Sequence, residues 1–343
     1  MKVLVVGPSW IGDMVMAQSL FRHLQATNPQ IVIDVLALDW TRELLSRMPE
    51  VNQAIVMPIG HGKLAIGERY QLGKSLKAEA YQQAIILPNS FKSALIPFFA
   101  KIPLRTGWRG EARSWLLTDC RKLDKQHYPL MVERFIALGF PEKSALTEPL
   151  LWPALKVSDD IKVTTDKFML ETVRPITIFC PGAEFGSSKK WPESHFSIVA
   201  ETLINEGKQV WLMGSENDAK TAKNIIATIQ PECKKHIVSL AGLTSIGEAI
   251  DLMSLAQTVV SNDSGLMHIA AALNKSLVVI YGSSSPEFTP PLSDRVKILT
   301  LNLSCSPCFK RECPLGHLNC LNQLSPKAVL NAISKIHQQL NET

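Results

Sequence analysis

Thr258-Val-Val-Ser-Asn-Asp-Ser-Gly-Leu-Met-His-Ile-Ala-Ala-Ala-Leu-Asn-Lys-Ser-Leu-Val-Val-Ile-Tyr-Gly282 holds two short apolar runs separated by a polar turn and an alanine-rich stretch. A run of β-branched residues ending at Ser261 predicts a buried strand, Leu266–Leu273 a helix and Leu277–Tyr281 a second strand. Strand, helix, strand with both strands apolar throughout is the unit of a parallel sheet covered on both faces. Asp263-Ser264-Gly265 then falls at a helix start, where unpaired N–H groups and the helix dipole favour an anion such as phosphate. His268, one turn in, can donate to an oxygen. The plainer alternative is that Asp263 or Ser264 only caps the helix and His268 is a buried bystander.

Working outward, the same rhythm fills the chain. In the N-terminal half, strands are expected at Val3–Val6, Ile31–Leu38, Ala54–Met57, Gln83–Leu87 and Leu104–Gly107. Helices are expected at Asp13–Gln25, Thr41–Arg47, Gly67–Glu79, Ser90–Ala100 and Pro129–Leu138. Pro141–Arg174 has little periodicity and reads as an interdomain stretch. Strands then recur at Ile176–Cys180, Gln209–Met213, Ile237–Leu240 and Val296–Leu299. Helices recur at Glu193–Asn205, Asn217–Ile229 and Ile246–Ala256, with a last amphipathic helix at Pro326–Leu340. The fold class is α/β, two doubly wound Rossmann-like domains facing across a cleft. Residues 1–165 form the first and 172–325 the second.

At 343 residues the chain has material for two cores, and its net charge of +5 is too small to imply a nucleic-acid partner. Pro8, Gly12 and Asp13 interrupt the apolar N-terminus, which reads as a first strand rather than a signal peptide. No apolar run is long enough to span a membrane, so a cytoplasmic location is expected.

Ligands of doubly wound sheets lie at the carboxyl ends of strands, and those ends carry the remaining motifs. "PGAEFGSSKKWP" (181–192) places Ser187, Ser188 and Lys189 in a flexible loop before a helix, suited to phosphate but lacking Walker A spacing; a solvated loop is the alternative. "GSEND" (214–218) sets Gly214 and Glu216 after a strand, where a carboxylate can accept from ribose hydroxyls or simply charge a helix start. "GPSWIGD" (7–13) is not G-x-G-x-x-G, which argues against a dinucleotide oxidoreductase. It places Asp13 to take a proton from a hydroxyl, or to serve as a helix N-terminal charge. Lys63, Lys92, Arg105 and Arg109 are the basic candidates for an anionic acceptor, while Arg113 and Arg121 read as a solvated face. Cys305, Cys308, Cys313 and Cys320 have C-x2-C-x4-C-x6-C spacing, with His317 between the last two. This admits a structural zinc or other metal, or reduced, redox-active thiols.

Taken in order, "GPSWIGDMVMAQSL", "PNSFKSALIP", "TGWRGE", "PGAEFGSSKKWP", "GSEND", "LAGLTS" and the long "NDSGLMH" block resemble the lipopolysaccharide ADP-heptose heptosyltransferases, glycosyltransferase family 9. The resemblance covers nearly the whole chain. It is strongest to the members that add a second heptose to the first. It implies a GT-B fold, with residues 326–343 forming a helix that crosses back to the first domain. It also implies inverting, metal-independent transfer with no required cofactor. The donor is ADP-heptose and the acceptor a lipid-anchored inner core, heptosyl-Kdo2-lipid A, reached by peripheral contact with the inner membrane's cytoplasmic face. Asp13 matches the proposed general base, Lys189 the lysine at the diphosphate and Glu216 the ribose acid. Asp263, Ser264, Gly265 and His268 match the D-[ST]-G-x-x-H motif at the donor diphosphate and heptose. Gly214, Ala241 and Gly242 fall at the ribose and adenine. Transfer of the first or the third heptose instead, or nucleotide-sugar binding without catalysis, are the competing readings.

Overall fold

The computed structural model describes residues 1–60, 62–146 and 148–341. The chain forms two compact units, Met1–Lys156 and Val157–Thr343.

The first unit is a six-stranded parallel sheet built from β1 (Lys2–Val6), β2 (Val32–Ala37), β3 (Val51–Val56), β4 (Gln83–Ile86), β5 (Leu104–Trp108) and β6 (Asp119–Arg121), in the order β3-β2-β1-β4-β5-β6. Its helices are α1 (Ile11–Thr27), α2 (Arg42–Leu45), α3 (Ile66–Leu76), α4 (Leu95–Phe99) and α5 (Met131–Ala137). Val3, Leu4, Val5 and Val6 are all buried, as expected for a central strand covered on both faces. Each such side chain contributes about 1.5–3 kcal/mol relative to exposure. Asp34 on β2 is fully buried; it accepts from the Tyr81 hydroxyl at 2.7 Å, Asn52 at 2.8 Å and Gln53 at 2.9 Å. Burial alone would raise its pKa, but these three bonds and Lys2 outweigh it and hold the carboxyl below its usual value.

The second unit repeats the plan. Its strands are β7 (Ile176–Cys180), β8 (Gln209–Leu212), β9 (Ile237–Ser239), β10 (Thr258–Asn262), β11 (Ser276–Ile280) and β12 (Val296–Leu299), ordered β12-β11-β10-β7-β8-β9. Counted from its own first strand, that order is the same as in the first sheet, and every pairing in both is parallel. The helices are α6 (Ile161–Lys167), α7 (Glu193–Asn205), α8 (Ala219–Thr228), α9 (Ile246–Ser254), α10 (Gly265–Ala272), α11 (Asn319–Asn322) and α12 (Pro326–Asn341). Val329, Ala332, Ile333 and Ile336 follow i, i+3, i+4, i+7 spacing, and α12 lays them into the core against α7 and β11.

The division falls after Lys156, and α6 packs on α9 within the second unit. The stretch read as interdomain therefore contains a helix, which an ion pair between Lys167 and Glu248 at 2.5 Å ties down. No helix among the described residues is long and apolar enough to cross a membrane.

Candidate active site

In both sheets the chain reverses direction of progress between two neighbouring strands, β1 and β4 in the first and β7 and β10 in the second. Loops leaving the carboxyl ends of such a pair splay apart and leave room for a ligand.

In the first unit that room is a cavity of about 500 Å³. Asp13, third residue of α1, lines it from the β1 side, and Lys92 from the turn after β4. Arg69, Arg134 and Glu111 line it too. Arg69 is buried, with its Nε donating to the Leu64 carbonyl at 2.7 Å; desolvation lowers its pKa from the arginine value. Arg134 donates from Nε to the Tyr128 carbonyl at 2.9 Å. The cavity thus gathers three cations and two carboxylates, a lining suited to an anionic, hydroxyl-bearing ligand.

The other basic candidates lie elsewhere. Arg105 spends its guanidinium on the carbonyls of Leu116 (2.7 Å) and Ile102 (2.5 Å), and Lys63 and Arg109 are exposed outside the cavity lining. Arg113 and Arg121, expected on a solvated face, are buried. Arg113 donates to the carbonyls of Pro88 and Trp108, to Ser93 Oγ at 2.9 Å and to Asn89 Oδ1 at 3.1 Å. Burial brings its pKa down to about 10. It binds the loop after β4 from below and so fixes where Lys92 stands. Arg121 pairs with Asp119 at 2.6 Å and donates to the Ala137 carbonyl.

In the second unit the two loops at the reversal are joined by an ion pair. Lys189 Nζ lies 2.5 Å from Asp263 Oδ2, with side-chain exposures of 16% and 6%. Ser284 also donates to that carboxylate oxygen, which no sequence motif announced. Asn262 ties the same loops, donating to the Pro181 carbonyl at 2.7 Å and accepting from the Trp191 N–H at 3.2 Å. Ser264 is the N-cap residue of α10, no side chain caps that end, and Ser264 and Gly265 are partly accessible. His268 is buried in the first turn and a half of α10. Desolvation drives its pKa down to about 4; Asp263 pulls it up and Lys189 pushes it down by smaller amounts. The imidazole is therefore neutral at physiological pH.

The loops after β8 and β9 join this edge. Asp218 accepts from the Ser215 N–H at 3.0 Å and pairs with Lys190 at 3.4 Å, and a Cβ at Gly182 would stand 2.2 Å from its carboxylate. Only glycine lets the two loops approach so closely. Gly242, at φ +75°, donates its N–H to the Gly214 carbonyl at 3.0 Å and packs under Glu216, whose Cα would lie 2.9 Å from an added Cβ. Glu216 is exposed and Ala241 buried beside it. Ser188 is pinned, donating to Ser283 Oγ at 2.9 Å and to the Lys310 carbonyl, whereas Ser187 stays exposed. The Lys189 and Arg311 cations both lie over the Phe185 ring, at 5.0 and 5.7 Å.

A family model described as glycosyltransferase family 9 (heptosyltransferase) matches residues 69–319. The chain belongs to glycosyltransferase family 9. Its curated relatives include the lipopolysaccharide heptosyltransferase 2 of Escherichia coli strain K12, 51% identical over 342 residues and 98% of each chain. The enzyme of the same name from Salmonella typhimurium strain LT2 is 50% identical, covering 100% of this chain and 99% of that one. A solved structure of the E. coli ADP-heptose LPS heptosyltransferase II superposes with a TM-score of 0.90 at 48% identity, covering 99% of this chain and 100% of that one. The fold is accordingly the two-unit GT-B arrangement of family-9 glycosyltransferases.

The metal reading of the cysteine segment finds no support in the geometry. Among the described residues no group of three or more His, Cys, Asp or Glu side chains is arranged to hold a metal ion. Cys305, Cys308, Cys313 and Cys320 are free thiols. The Cys313 sulfur is held instead by backbone N–H groups of Leu318, Leu315, Gly316 and His317, which lower its pKa. Burial first, and the neighbouring thiols second, raise that of Cys320. This segment of the family-9 chain braces the loop that carries Lys189 through its backbone: the Arg311 carbonyl accepts from the Ser188 N–H at 3.2 Å, and a Cβ at Gly186 would stand 2.2 Å from that same oxygen.

Proposed function

We propose that the chain transfers L-glycero-D-manno-heptose, with inversion, from ADP-heptose to the first heptose of heptosyl-Kdo2-lipid A, during assembly of the lipopolysaccharide core at the cytoplasmic face of the inner membrane. The Lys189–Asp263 pair at the strand reversal of the second unit is the observation that carries this reading, because it places a cation beside an uncapped helix start. Full-length similarity to enzymes bearing that name supports it.

In this reading the second unit takes the donor. The diphosphate lies at the α10 N-terminus against the N–H groups after Ser264, with Lys189 compensating its charge and Glu216 accepting from the ribose hydroxyls. Gly214, Ala241 and Gly242 shape the nucleoside side. Neutral His268 donates one hydrogen bond without adding charge. The first unit takes the acceptor, whose phosphates meet Lys92, Arg69 and Arg134. Asp13 accepts the proton of the acceptor hydroxyl while that oxygen bonds to the anomeric carbon. The bond from that carbon to the β-phosphate oxygen breaks as ADP leaves with its electron pair. Bond making opposite the leaving group inverts the centre.

The test compares wild type and Asp13→Asn on inner core carrying either no heptose or one. Wild type is expected to act on the one-heptose acceptor alone. The variant should lose about 10²–10⁴-fold in turnover while binding ADP-heptose as before. Product on the heptose-free acceptor would move the enzyme to the first transfer. An active variant would remove Asp13 as base.

A further inference from the structure

Between Lys63 and Glu111 the sequence has eight basic residues against three acidic ones, an excess of five that equals the net charge of the entire chain. The same stretch exposes the large apolar side chains Leu64, Ile66, Tyr70 and Leu104, and Trp115 just beyond it is 65% accessible. Their rings touch in series. Tyr70 meets Phe99 edge-on at 5.3 Å, Phe99 meets Phe98 at 5.7 Å, Phe98 meets Trp115 at 5.7 Å, and Trp115 meets Phe91 at 6.2 Å.

This row is rigid. α4 turns Leu95, Ile96 and Pro97 into the core and leaves Phe98 and Phe99 half-buried. Gly73 lets α3 close onto α4, since a Cβ there would lie 2.6 Å from that of Phe99. Arg105, fixed by backbone carbonyls, stacks 5.7 Å from the Phe98 ring. Lys74 on α3 and Lys101 just after α4 are exposed, and the Lys101 N–H donates to the Phe98 carbonyl at 3.0 Å. Ordered aromatic rings in water, rimmed by cations, match one environment well. Rings settle at the headgroup level of a bilayer while lysines and arginines meet lipid phosphates.

We propose that the α3–α4 face, from Tyr70 to Trp115, docks onto an anionic lipid surface. Lys74 on α3, Lys77 just after it and Lys101 just after α4, all exposed, argue for lipid phosphates as the partner. The ring series also ends at Phe91, next to Lys92 of the cavity, and the Phe91 N–H donates to Glu111 of the same lining at 2.5 Å. The face would thus seat the acceptor cavity close to the bilayer that holds a lipid-anchored acceptor. That purpose rests on the proposed function, whereas the docking itself does not.

The test floats the full chain with vesicles of phosphatidylcholine alone or mixed with phosphatidylglycerol. Wild type should bind the mixed vesicles only, less so as salt rises. Tyr70→Ser with Trp115→Ser should reduce binding by about tenfold or more. Lys101→Glu, which touches no ring, should reduce it by about fivefold or more. All should unfold at the wild-type temperature and keep wild-type turnover on an acceptor stripped of its acyl chains, yet lose it on acceptor embedded in vesicles. Wild type that ignores both vesicles, or variants that bind as well as wild type, overturns the proposal. Vesicle binding without transfer to the stripped acceptor would sink the function reading and leave this face standing. Transfer without vesicle binding does the reverse.

Discussion

Between β1 and β4 the first sheet opens a cavity lined by Asp13, Arg69, Lys92 and Arg134. Between β7 and β10 the second sheet closes on Lys189 and Asp263, 2.5 Å apart. Strand order is the same, so the topology supplies a place for a ligand in each unit and says nothing about its charge. What differs is whether the cations arrive already matched. The first unit collects more cations than carboxylates around open space, as a ligand bringing its own phosphates requires. The second pairs its lysine in advance, and its His268 is kept neutral by burial.

The largest test removes the matched cation. Lys189→Ala should lower kcat/KM by about 10²–10³-fold and weaken ADP binding, with the acceptor KM unmoved. It should also cost about 3 kcal/mol of stability, because Asp263 is left buried without a counter-charge, with Ser284 still donating to it. The double variant with Asp263→Ala should recover most of that stability but not the activity, as urea titration and steady-state kinetics would show. A shifted acceptor KM would break the division of labour.

His268 offers a pH test of comparable size. Its native pKa, about 4, lies below the value near 6.5 of an unfolded chain, so between those limits the unfolded state holds a proton that the native state lacks. Stability therefore rises as pH climbs from 4 to 6.5 and is fully present above, a contribution of up to about 3 kcal/mol. Denaturation of His268→Gln at pH 4.5 and 7 should show this slope removed.

Smaller effects sharpen the contrast. Lys92→Ala should raise the acceptor KM about tenfold and leave that of ADP-heptose alone. Gly242→Ala, forced into positive φ against Glu216, should cost about 1–2 kcal/mol and weaken ADP binding, measured by calorimetry.

Strands such as Val3–Val6 and Ile176–Cys180 were legible because burial on both faces leaves an uninterrupted apolar run. β6 (Asp-Cys-Arg) has no such run and exists through its pairing with β5. α6 is polar in composition and forms because α9 and Glu248 hold it. At the sites, Asp13, Lys189 and Asp263 stood out as strand-end residues. That Lys189 and Asp263 touch, 74 positions apart, is a tertiary fact. Arg113 misled because a guanidinium can be fully buried when carbonyls and side-chain oxygens surround it, and no local pattern records that. The four cysteines had the spacing of ligands, but spacing does not fix where sulfurs point.

The Lys189–Asp263 pair has one more consequence under the proposed assignment. A lysine already neutralised by a resident carboxylate sets an entry toll: a newcomer must compete with Asp263 for the ammonium, which a diphosphate can do and an uncharged nucleoside cannot. The same partner waits when ADP departs, so the cation is never stranded in a poorly solvated site. Selectivity for a charged donor and ease of product release would then come from one exchange of counter-ions.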